Sequence, residues 1–448
     1  MTLSHLKLLD RDSTLRLKIS ANKRHLIRED GSPFFYLGDT AWELFHRLDR
    51  EEASYYLETR AKQGFNVIQA VVLAEHEYHK PNPYGNFPLW ENDPLRPNEH
   101  YFEHVDFIVE KAASLGMTVA MLPTWGDKWN KSWGDGPEIF TPENALFFGE
   151  FLGKRYKNSP IIWVLGGDRP IQDDRHKEII RSMANGLSAG DDGHHLKTFH
   201  PAGGQTSAQH FHNEDWLDFN MWQSGHTRDR NNGLKVALDY NLSPSKPVID
   251  AEPGYENHCS SFRYSDGFMN AYDVRKFAYW AIFAGACGHT YGCHEIWAFW
   301  SPKWQVVNLQ HTVWHEAIHL PGANQMQFAR YLMESRPMLN RIPDNDFVLQ
   351  PKNSGRVVAT RADDGSFALV FMPEGETVKV DSEKLSGEKI VAWWYDTRIG
   401  KAFKSGVFNK LELPEFKPPS RSDAPDWVLV LDDVAKNYPA PGERIAQS

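Results

Sequence analysis

Short apolar segments alternate with longer amphipathic segments between residues 34 and 300. The apolar segments, rich in β-branched and aromatic residues, predict eight strands: Phe34–Gly38, Asn66–Leu73, Thr118–Pro123, Ile161–Leu165, Lys197–His200, Asp218–Trp222, Pro247–Ala251 and Gly288–Tyr291. The intervening segments predict helices at Glu51–Gln63, His100–Leu115, Pro142–Tyr156, Asp174–Leu187, Asn232–Tyr240 and Val274–Ala284, and a last helix from His311 to about Met333. The fifth connection, around residues 213–216, is short enough to be a single turn.

Eight strand-then-helix units in succession favour an α/β fold, a parallel (β/α)8 TIM barrel. Gly64 and Gly116 each precede a predicted strand, as expected of residues that end a helix and lead the chain back to the barrel. A doubly wound open sheet gives a similar alternation. It is disfavoured because no glycine-rich nucleotide loop follows the first strand.

A different pattern begins after residue 342. Short strands separated by turn residues are predicted at Phe347–Leu349, Arg356–Thr360, Phe367–Phe371, Thr377–Val380, Lys389–Tyr395 and Trp427–Leu431, with a loop at Asp396–Gly400. They indicate a small antiparallel β-sandwich that braces the barrel. Near the amino terminus, Leu15–Ser20 and His25–Arg28 predict a hairpin over the closed end of the barrel. We therefore expect two domains, residues 1–342 and 343–448.

Composition narrows the possible partners. The net charge is −10 and Lys and Arg are spread along the chain, so nucleic acid is not an expected partner. Residues 1–448 contain no apolar run of about 20 residues, which excludes a membrane span of the usual length. Met1–Lys7 lacks the apolar stretch of a signal peptide, which indicates a cytoplasmic protein, or a periplasmic or secreted one if a leader has been removed. The oligomeric state is left open.

Cysteine and tryptophan contents add two further expectations. The three cysteines, Cys259, Cys287 and Cys293, are odd in number and have no Cys-x-x-Cys spacing, so neither a disulfide framework nor a structural zinc site is expected. The 16 tryptophans exceed what a core requires and suit sugar binding, because an indole face stacks on the apolar C–H face of a pyranose ring.

Asp168 and Glu252 each end a short apolar run, in the segments Ile161–Arg169 and Pro247–Pro253. In a parallel barrel both side chains would enter the same open face, from strands four and seven. Two carboxyl groups facing one substrate are the requirement of glycoside hydrolysis. Each residue also has a purely structural interpretation: Asp168 as a turn cap or partner of Arg169, and Glu252 as a buried salt-bridge partner.

Other polar and aromatic residues lie at or beyond the predicted strand ends. We predict that the substrate contacts are among Asp39, Trp42, Gln69, Trp125, Arg169, His200, Trp222, Tyr291, His294 and Trp297. This mixture of aromatics, amides, imidazoles and acids fits a neutral polyhydroxyl ligand. His200 and the tryptophans are equally compatible with a place in the core, and Glu75, Glu77, Glu256 and Glu295 are rival acids.

Metal and serine chemistry are less well supported. An amidohydrolase barrel carries His-x-His at the end of strand one, where this chain has Gly38-Asp39-Thr40. The His-x-His at His210 and His212 precedes a predicted helix instead. The Gly-x-Ser-x-Gly run Gly186–Gly190 lies at the end of the predicted helix Asp174–Leu187 and not in a strand-to-helix turn, so we expect no serine nucleophile elbow. We expect neither a metal nor another cofactor.

Four segments, Phe35–Trp42, Gln63–Gln69, Trp163–Arg169 and Pro247–Pro253, resemble a bacterial barrel family, glycoside hydrolase family 140. The resemblance covers about residues 10–340 and implies activity on apiose linkages of the pectin rhamnogalacturonan II. It also implies that Asp168 is the acid/base and Glu252 the nucleophile. The trailing domain is similar to a module named for collagen binding. Related barrel glycosidases carry Asn-Glu at the end of strand four, so Asp168 shortens the acid by one methylene.

These observations predict a retaining glycoside hydrolase acting on a plant cell-wall polysaccharide or oligosaccharide. Asp168 must then stay protonated near neutrality, through burial and the nearby charge of Glu252. Three alternatives remain: an inverting enzyme, a non-catalytic carbohydrate-binding barrel and a metal-dependent hydrolase. Retaining enzymes hold the two carboxyl groups ~5–5.5 Å apart and inverting enzymes ~6.5–9.5 Å apart.

Overall fold

The computed structural model describes residues 16–351, 356–419 and 425–443. Two expectations from the sequence lie outside these residues. One is the missing signal peptide, which concerns Met1–Lys7, and the other is Leu15 as the first residue of the amino-terminal strand. The outer ends of the two predicted domains, residues 1–15 and 444–448, lie outside as well.

Three short antiparallel strands open the described chain: β1 Leu17–Ile19, β2 Leu26–Arg28 and β3 Pro33–Phe34. Leu17, Leu26 and Phe34 pack in one buried cluster with barrel residues such as Ile162 and Phe219. This small sheet covers one end of the barrel, as expected of the predicted hairpin, and includes a third strand that the sequence pattern did not indicate.

The barrel consists of eight parallel strands: β4 Tyr36–Thr40, β5 Val67–Leu73, β6 Thr118–Thr124, β7 Ile161–Gly166, β8 Lys197–His200, β9 Asn220–Trp222, β10 Val248–Asp250 and β11 Gly288–Tyr291. Six of them form one curled sheet in the order β11-β4-β5-β6-β7-β8, and β9 pairs with β10. The ring closes through backbone hydrogen bonds of 2.9 Å from Asp218 N to Lys197 O and from Cys287 N to Val248 O. The predicted (β/α)8 barrel is confirmed.

Ten α-helices lie in the described part of the chain: α1 Leu44–Arg47, α2 Arg50–Lys62, α3 Glu99–Ser114, α4 Pro142–Tyr156, α5 Asp174–Asp191, α6 Ala208–Phe211, α7 Gly233–Tyr240, α8 Ala271–Phe283, α9 Trp314–Ala317 and α10 Pro321–Glu334. The predicted single helix from His311 to Met333 is wrong. It is divided into α9 and α10 because Pro321 occupies the first turn of a new helix, where its missing N–H costs nothing.

Local sequence explains where several barrel helices begin and end. Asp49 precedes α2 and accepts a hydrogen bond of 2.8 Å from Glu52 N, while the Glu52 side chain bonds back to Asp49 N. After α2 and α3 the chain turns at Gly64 and Gly116, with φ of +85° and +74°. Glycine is favoured there because other residues rarely adopt this left-handed conformation.

The carboxyl-terminal region is antiparallel. Its strands are β12 Arg341–Pro343, β13 Val348–Gln350, β14 Val358–Ala362, β15 Phe367–Met372, β16 Lys379–Val380, β17 Lys389–Asp396, β18 Lys401–Asn409 and β19 Trp427–Asp433. One six-stranded sheet has the order β12-β14-β15-β19-β17-β18, and β13 pairs with β16. The fold class predicted from the sequence, a barrel followed by a small antiparallel β-domain, is thus confirmed.

Two buried ion pairs join this β-domain to the barrel. Arg275 of α8 donates two hydrogen bonds of 2.7 and 2.8 Å to Asp426, and Arg336 donates two of 2.8 and 2.7 Å to Asp432. These contacts agree with a bracing role. The division after residue 342 stays a prediction, and β12 spans it. No helix in the described ranges combines the length and apolar character needed to cross a lipid bilayer.

Candidate active site

Asp168 follows strand β7 after a sharp turn. Gly166, Gly167 and Asp168 have φ of +93°, +112° and +49°. A Cβ on Gly166 would lie 2.3 Å from His200 O, and one on Gly167 would lie 2.8 Å from Gly126 N. Only glycine fits both positions, so the two glycines allow the chain to turn between neighbouring strands and present the Asp168 carboxyl at the barrel mouth.

Asp168 and Glu252 line the same cavity, which has a volume of about 930 Å³. Glu252 follows β10, two residues beyond its last strand residue, just as Asp168 follows β7. The cavity therefore lies at the carboxyl ends of the strands, where barrel enzymes have their active sites. The predicted convergence of strands four and seven on one open space is present in the structure.

Glu252 is held between two imidazoles. His200 Nε2 lies 3.0 Å from its Oε2 atom, His226 Nε2 lies 3.3 Å from its Oε1 atom, and the Glu252 side chain is 8% exposed. Burial by itself raises the pKa of Glu252, but the contacts with His200 and His226 outweigh burial and lower it to about 2. Glu252 is therefore ionised over the whole physiological pH range.

Asp168 has the opposite electrostatic character. Its side chain is 25% exposed and has one cation, Arg169, at 3.4 Å. Burial, and after it the negative charge of Glu252, raise the pKa of Asp168 to about 7 despite the opposing effect of Arg169. Asp168 therefore retains a proton near neutrality, as its predicted role requires.

Arg169 connects Asp168 to the neighbouring wall of the cavity. Its guanidinium is fully buried, donates a hydrogen bond of 2.8 Å to Asp168 O, and donates another to the Glu75 carboxylate. The guanidinium carbon lies 4.6 Å from the ring centre of Trp133. Glu75 and Trp133 both line the cavity, so the Asp168 side of the site is a linked group of two acids, one arginine and one indole.

Half of the predicted substrate contacts lie in or beside the cavity. Trp42, Trp125 and Trp297 line it. Arg169 and His200 contact the carboxyl groups of Asp168 and Glu252. The rings of Trp42 and Trp125 are 5.2 Å apart and tilted by 53°, which forms an aromatic corner beside His200.

The other half lie elsewhere, and strand alternation explains three of them. Along β4 and β11 successive side chains alternate between the barrel interior and the surrounding helices, and Asp39 and Tyr291 face the helices. Asp39 accepts hydrogen bonds of 2.6 Å from both Arg60 and Tyr56. Tyr291 donates one of 2.5 Å to Glu256. Trp222 of β9 likewise faces outward and packs against α7.

Gln69 and His294 are also displaced from the cavity. Gln69 points into the barrel but lies below the mouth, where it accepts a hydrogen bond from Tyr36 and donates one of 3.1 Å to Ala251 O. His294 is buried, with Nε2 2.8 Å from Asn308 O. Of the rival acids, Glu75 alone lines the cavity, whereas Glu77, Glu256 and Glu295 pair with other residues.

Sequence reasoning missed several cavity residues that lie beyond the strands: Trp133, His226, Tyr255, His258 and Phe262. Gln223, at the predicted end of strand six, also lines the cavity but was not among the predicted substrate contacts. Gln223 and His226 follow Trp222, and strand alternation carried one residue further predicts that Gln223 points inward. The others lie on loops that no periodic pattern describes. Apart from the two carboxyl groups, four cavity side chains have a buried polar atom without a hydrogen-bond partner among the described residues: Trp125 Nε1, Gln223 Oε1, His226 Nδ1 and Tyr255 OH.

The described residues include no group of three or more His, Cys, Asp or Glu side chains placed to hold a metal ion. The arrangement provides instead one protonated carboxyl, one ionised carboxylate, aromatic walls and several unpaired polar atoms. It can donate a proton and stabilise or attack a positively charged carbon, which are the two requirements of glycoside cleavage.

Comparison with known proteins agrees with this chemistry. A family model described as "Apiosidase-like, catalytic domain" matches residues 20–340, and one described as "Putative collagen-binding domain of a collagenase" matches residues 342–432. No curated protein matches the chain. One solved structure, a glycoside hydrolase, is 35% identical, covers 94% of this chain and 97% of its own, and superposes with a TM-score of 0.85.

A second solved structure, a family 5 glycoside hydrolase from Bacteroides vulgatus, is 34% identical. The match covers 96% of both chains, with a TM-score of 0.87. Identity at this level over nearly the whole length, together with a family match over most of the chain, identifies the protein as a glycoside hydrolase. The chain belongs to the family of apiosidase-like catalytic domains.

Proposed function

We propose that the protein is a retaining glycoside hydrolase with Glu252 as nucleophile and Asp168 as acid/base. The observation that carries this proposal is the pair of unlike carboxyl groups lining one cavity. The pKa of Asp168 is raised to about 7 and that of Glu252 is lowered to about 2. When two carboxyl groups have widely separated pKa values, the group with the higher pKa can act as the acid and the ionised group as the nucleophile.

In the first step a Glu252 carboxylate oxygen forms a bond to the anomeric carbon while the bond from that carbon to the glycosidic oxygen breaks. Asp168 transfers its proton to the departing oxygen, which leaves as an alcohol. The products are a glycosyl ester on Glu252 and an ionised Asp168. Arg169 lies 3.4 Å from Asp168 and stabilises this charge once it has formed.

In the second step ionised Asp168 takes a proton from water as the water oxygen attacks the anomeric carbon. The ester bond to Glu252 breaks, Glu252 regains its charge between His200 and His226, and Asp168 is protonated again. Two inversions at one carbon give net retention of configuration. The cycle consumes one water and leaves both side chains in their starting states.

The low pKa of Glu252 favours this retaining route over the inverting one. An inverting enzyme needs its second carboxylate as a general base, and a base is most effective when its pKa is near the working pH. With a pKa of about 2, Glu252 is a weak base, but its carboxylate is a good leaving group when the ester is hydrolysed. Its fixed charge also stabilises the positive charge that develops at the anomeric carbon.

The cavity walls support a carbohydrate ligand. Trp42, Trp125 and Trp297 offer apolar surfaces for the C–H faces of a sugar. The unpaired polar atoms of Gln223 and Tyr255 are available to sugar hydroxyl groups. A sugar without hydroxyl groups to pair with these buried atoms would leave them unsatisfied when it displaces solvent, which makes them sources of selectivity.

As the specific substrate we propose an apiosyl linkage in the pectin rhamnogalacturonan II, and membership of glycoside hydrolase family 140. The match to the apiosidase-like family supports this choice. So does the resemblance of the segments Phe35–Trp42 and Trp163–Arg169 to that family. The acid is an aspartate here, one methylene shorter than a glutamate, so the glycosidic oxygen must come closer to the end of β7.

Hydrolysis of pectic side chains, including apiose-containing oligosaccharides, tests this proposal. The released sugar is followed by ¹H NMR from the first minutes, before its anomers equilibrate in solution. We expect free apiose whose first-formed anomer has the configuration of the substrate linkage. First-formed product of inverted configuration would contradict the retaining mechanism, and cleavage of other pectic linkages alone would contradict the apiosyl assignment.

A further inference from the structure

Trp133 is the most exposed tryptophan among the described residues that line the catalytic cavity. Its side chain is 64% exposed, although a large apolar side chain usually packs into the core. Trp42, Trp125 and Trp297, which line the same cavity, are all less than 10% exposed. Trp133 therefore presents a ring face to solvent at the rim of the site, where a ligand can cover it.

The other face of Trp133 rests on a fixed support. The Arg169 guanidinium lies 4.6 Å from the ring centre, and Arg169 is itself held by Glu75 and Asp168 O. Gly134, the residue after Trp133, packs directly against Arg169. A Cβ on Gly134 would lie 2.5 Å from a guanidinium nitrogen of Arg169. The indole is thus placed in one orientation before any ligand arrives, which lowers the entropic cost of binding.

The loop that carries Trp133 is anchored to the segment following Asp168. Asn130 donates a hydrogen bond of 2.9 Å to Pro170 O, and Gly136 N donates one of 2.7 Å to the buried Asp127 carboxylate. Trp133 therefore belongs to the same rigid wall as the acid. On the opposite wall the exposed ring of Phe262 lies against His226, which contacts Glu252.

This placement assigns the two walls to the two halves of a substrate. Glu252 attacks the anomeric carbon and so lies under the sugar that becomes the covalent intermediate. Asp168 protonates the bridging oxygen and so lies beside the group that departs. We propose that Trp133 is the platform for the leaving sugar, whose C–H face stacks on the exposed indole face. This inference rests on the proposed function, which supplies the direction of cleavage.

The platform also predicts the chemical class of the leaving group. A ring sugar within an oligosaccharide covers an indole face, whereas a leaving group of one atom does not reach it. Trp133 should therefore contribute to turnover only when the departing group is a sugar. The enzyme is then selective for linkages within a chain of sugars over simple glycosides of the same terminal sugar.

The test compares two substrates that share the terminal sugar: an apiose-containing rhamnogalacturonan II oligosaccharide, and apiosyl fluoride, whose leaving group is a single fluoride ion. The enzymes are the wild type, Trp133→Ala, Trp133→Phe and Trp90→Ala. Trp90 is 52% exposed and lies outside the cavity lining, so Trp90→Ala is the matched control for loss of a surface indole. kcat and KM are measured for each enzyme with each of the two substrates.

We expect Trp133→Ala to lower kcat/KM for the oligosaccharide at least about tenfold more than for the fluoride, a difference equivalent to about 1.4 kcal/mol. Trp133→Phe should recover most of that loss, and Trp90→Ala should match the wild type on both substrates. Equal losses on both substrates, or none on either, would overturn the platform. If the wild type cleaves neither substrate, the apiosyl function itself fails, and the inference falls with it.

Discussion

The two walls of the catalytic cavity, one with Asp168 and the other with Glu252, shift the pKa of a carboxyl group in opposite directions. Burial raises the proton affinity of both Asp168 and Glu252. At Glu252 two imidazoles on the two carboxylate oxygens reverse this effect, whereas at Asp168 the charge of Glu252 adds to it and Arg169 only partly compensates. Neighbouring residues, and not burial, therefore decide which carboxyl keeps its proton.

The largest effect on kcat is expected from substitution of Glu252. Glu252→Gln removes the nucleophile with almost no change in shape, and we expect kcat for an apiose-containing oligosaccharide to fall by about 10⁴-fold or more. Thermal unfolding followed by circular dichroism checks that the fold is intact. A variant that keeps wild-type kcat would refute the assignment of Glu252.

Asp168→Asn should be nearly as harmful, but in a way that depends on the leaving group. Without the proton donor, we expect cleavage of the oligosaccharide to slow by about 10²–10⁴-fold. Fluoride departs without protonation, so formation of the glycosyl ester from apiosyl fluoride should be much less affected. Stopped-flow release of fluoride measures that step, and equal losses for both leaving groups would speak against Asp168 as the acid.

The pH dependence of kcat/KM provides a related test of the Asp168 wall. Because Asp168 must be protonated, activity of the wild type should fall as the pH rises through about 7, its raised pKa. With Asp168→Asn the fall near pH 7 should disappear from the residual activity. If the variant keeps the same alkaline limb, another group is responsible for it.

A moderate effect is expected from His226→Ala, which removes one of the two imidazoles beside Glu252. The pKa of Glu252 should rise from about 2, so activity should be lost at a higher pH on the acidic side than in the wild type. We also expect kcat near neutrality to fall by about tenfold, the equivalent of about 1.4 kcal/mol. His100→Ala, at a 69% exposed surface side chain, is the matched control.

The smallest effect concerns Glu75→Gln. The charge of Glu75 raises the pKa of Asp168, and its carboxylate competes with Asp168 for Arg169. Neutralising Glu75 should move the alkaline limb of kcat/KM to lower pH by less than about one unit. Glu103→Gln, at a surface glutamate, should leave the limb in place. A shift to higher pH would contradict the described role of Glu75.

The sequence was informative wherever a periodic pattern exists. Hydrophobic alternation predicted all eight barrel strands and placed Asp168 and Glu252 just beyond two of them. It did not predict β18, because Lys404, Ser405 and Gly406 interrupt the apolar positions of this exposed edge strand. The sequence prediction wrongly placed Asp39 and Tyr291 at the barrel mouth, because the position of a strand end does not show which face of the strand a side chain occupies.

Loop residues of the site could not be predicted in the same way. His226 and Trp133 are about ninety positions apart along the chain. His226 contacts Glu252, and Trp133 contacts the Arg169 guanidinium, through tertiary structure only. The low pKa of Glu252 depends on its contacts with His200 and His226, and the raised pKa of Asp168 depends on burial and on the charge of Glu252. The sequence therefore indicates which acids can react, and the folded environment determines which one is the acid.

Trapping the covalent intermediate tests the central assignment most directly. The Asp168→Asn variant is incubated with apiosyl fluoride. This variant can form the ester on Glu252 but lacks the base that hydrolyses it, and the digested protein is examined by mass spectrometry. We predict the added mass of one glycosyl unit on the peptide that contains Glu252. An adduct on a different residue, or no adduct together with product of inverted configuration, would contradict the mechanism.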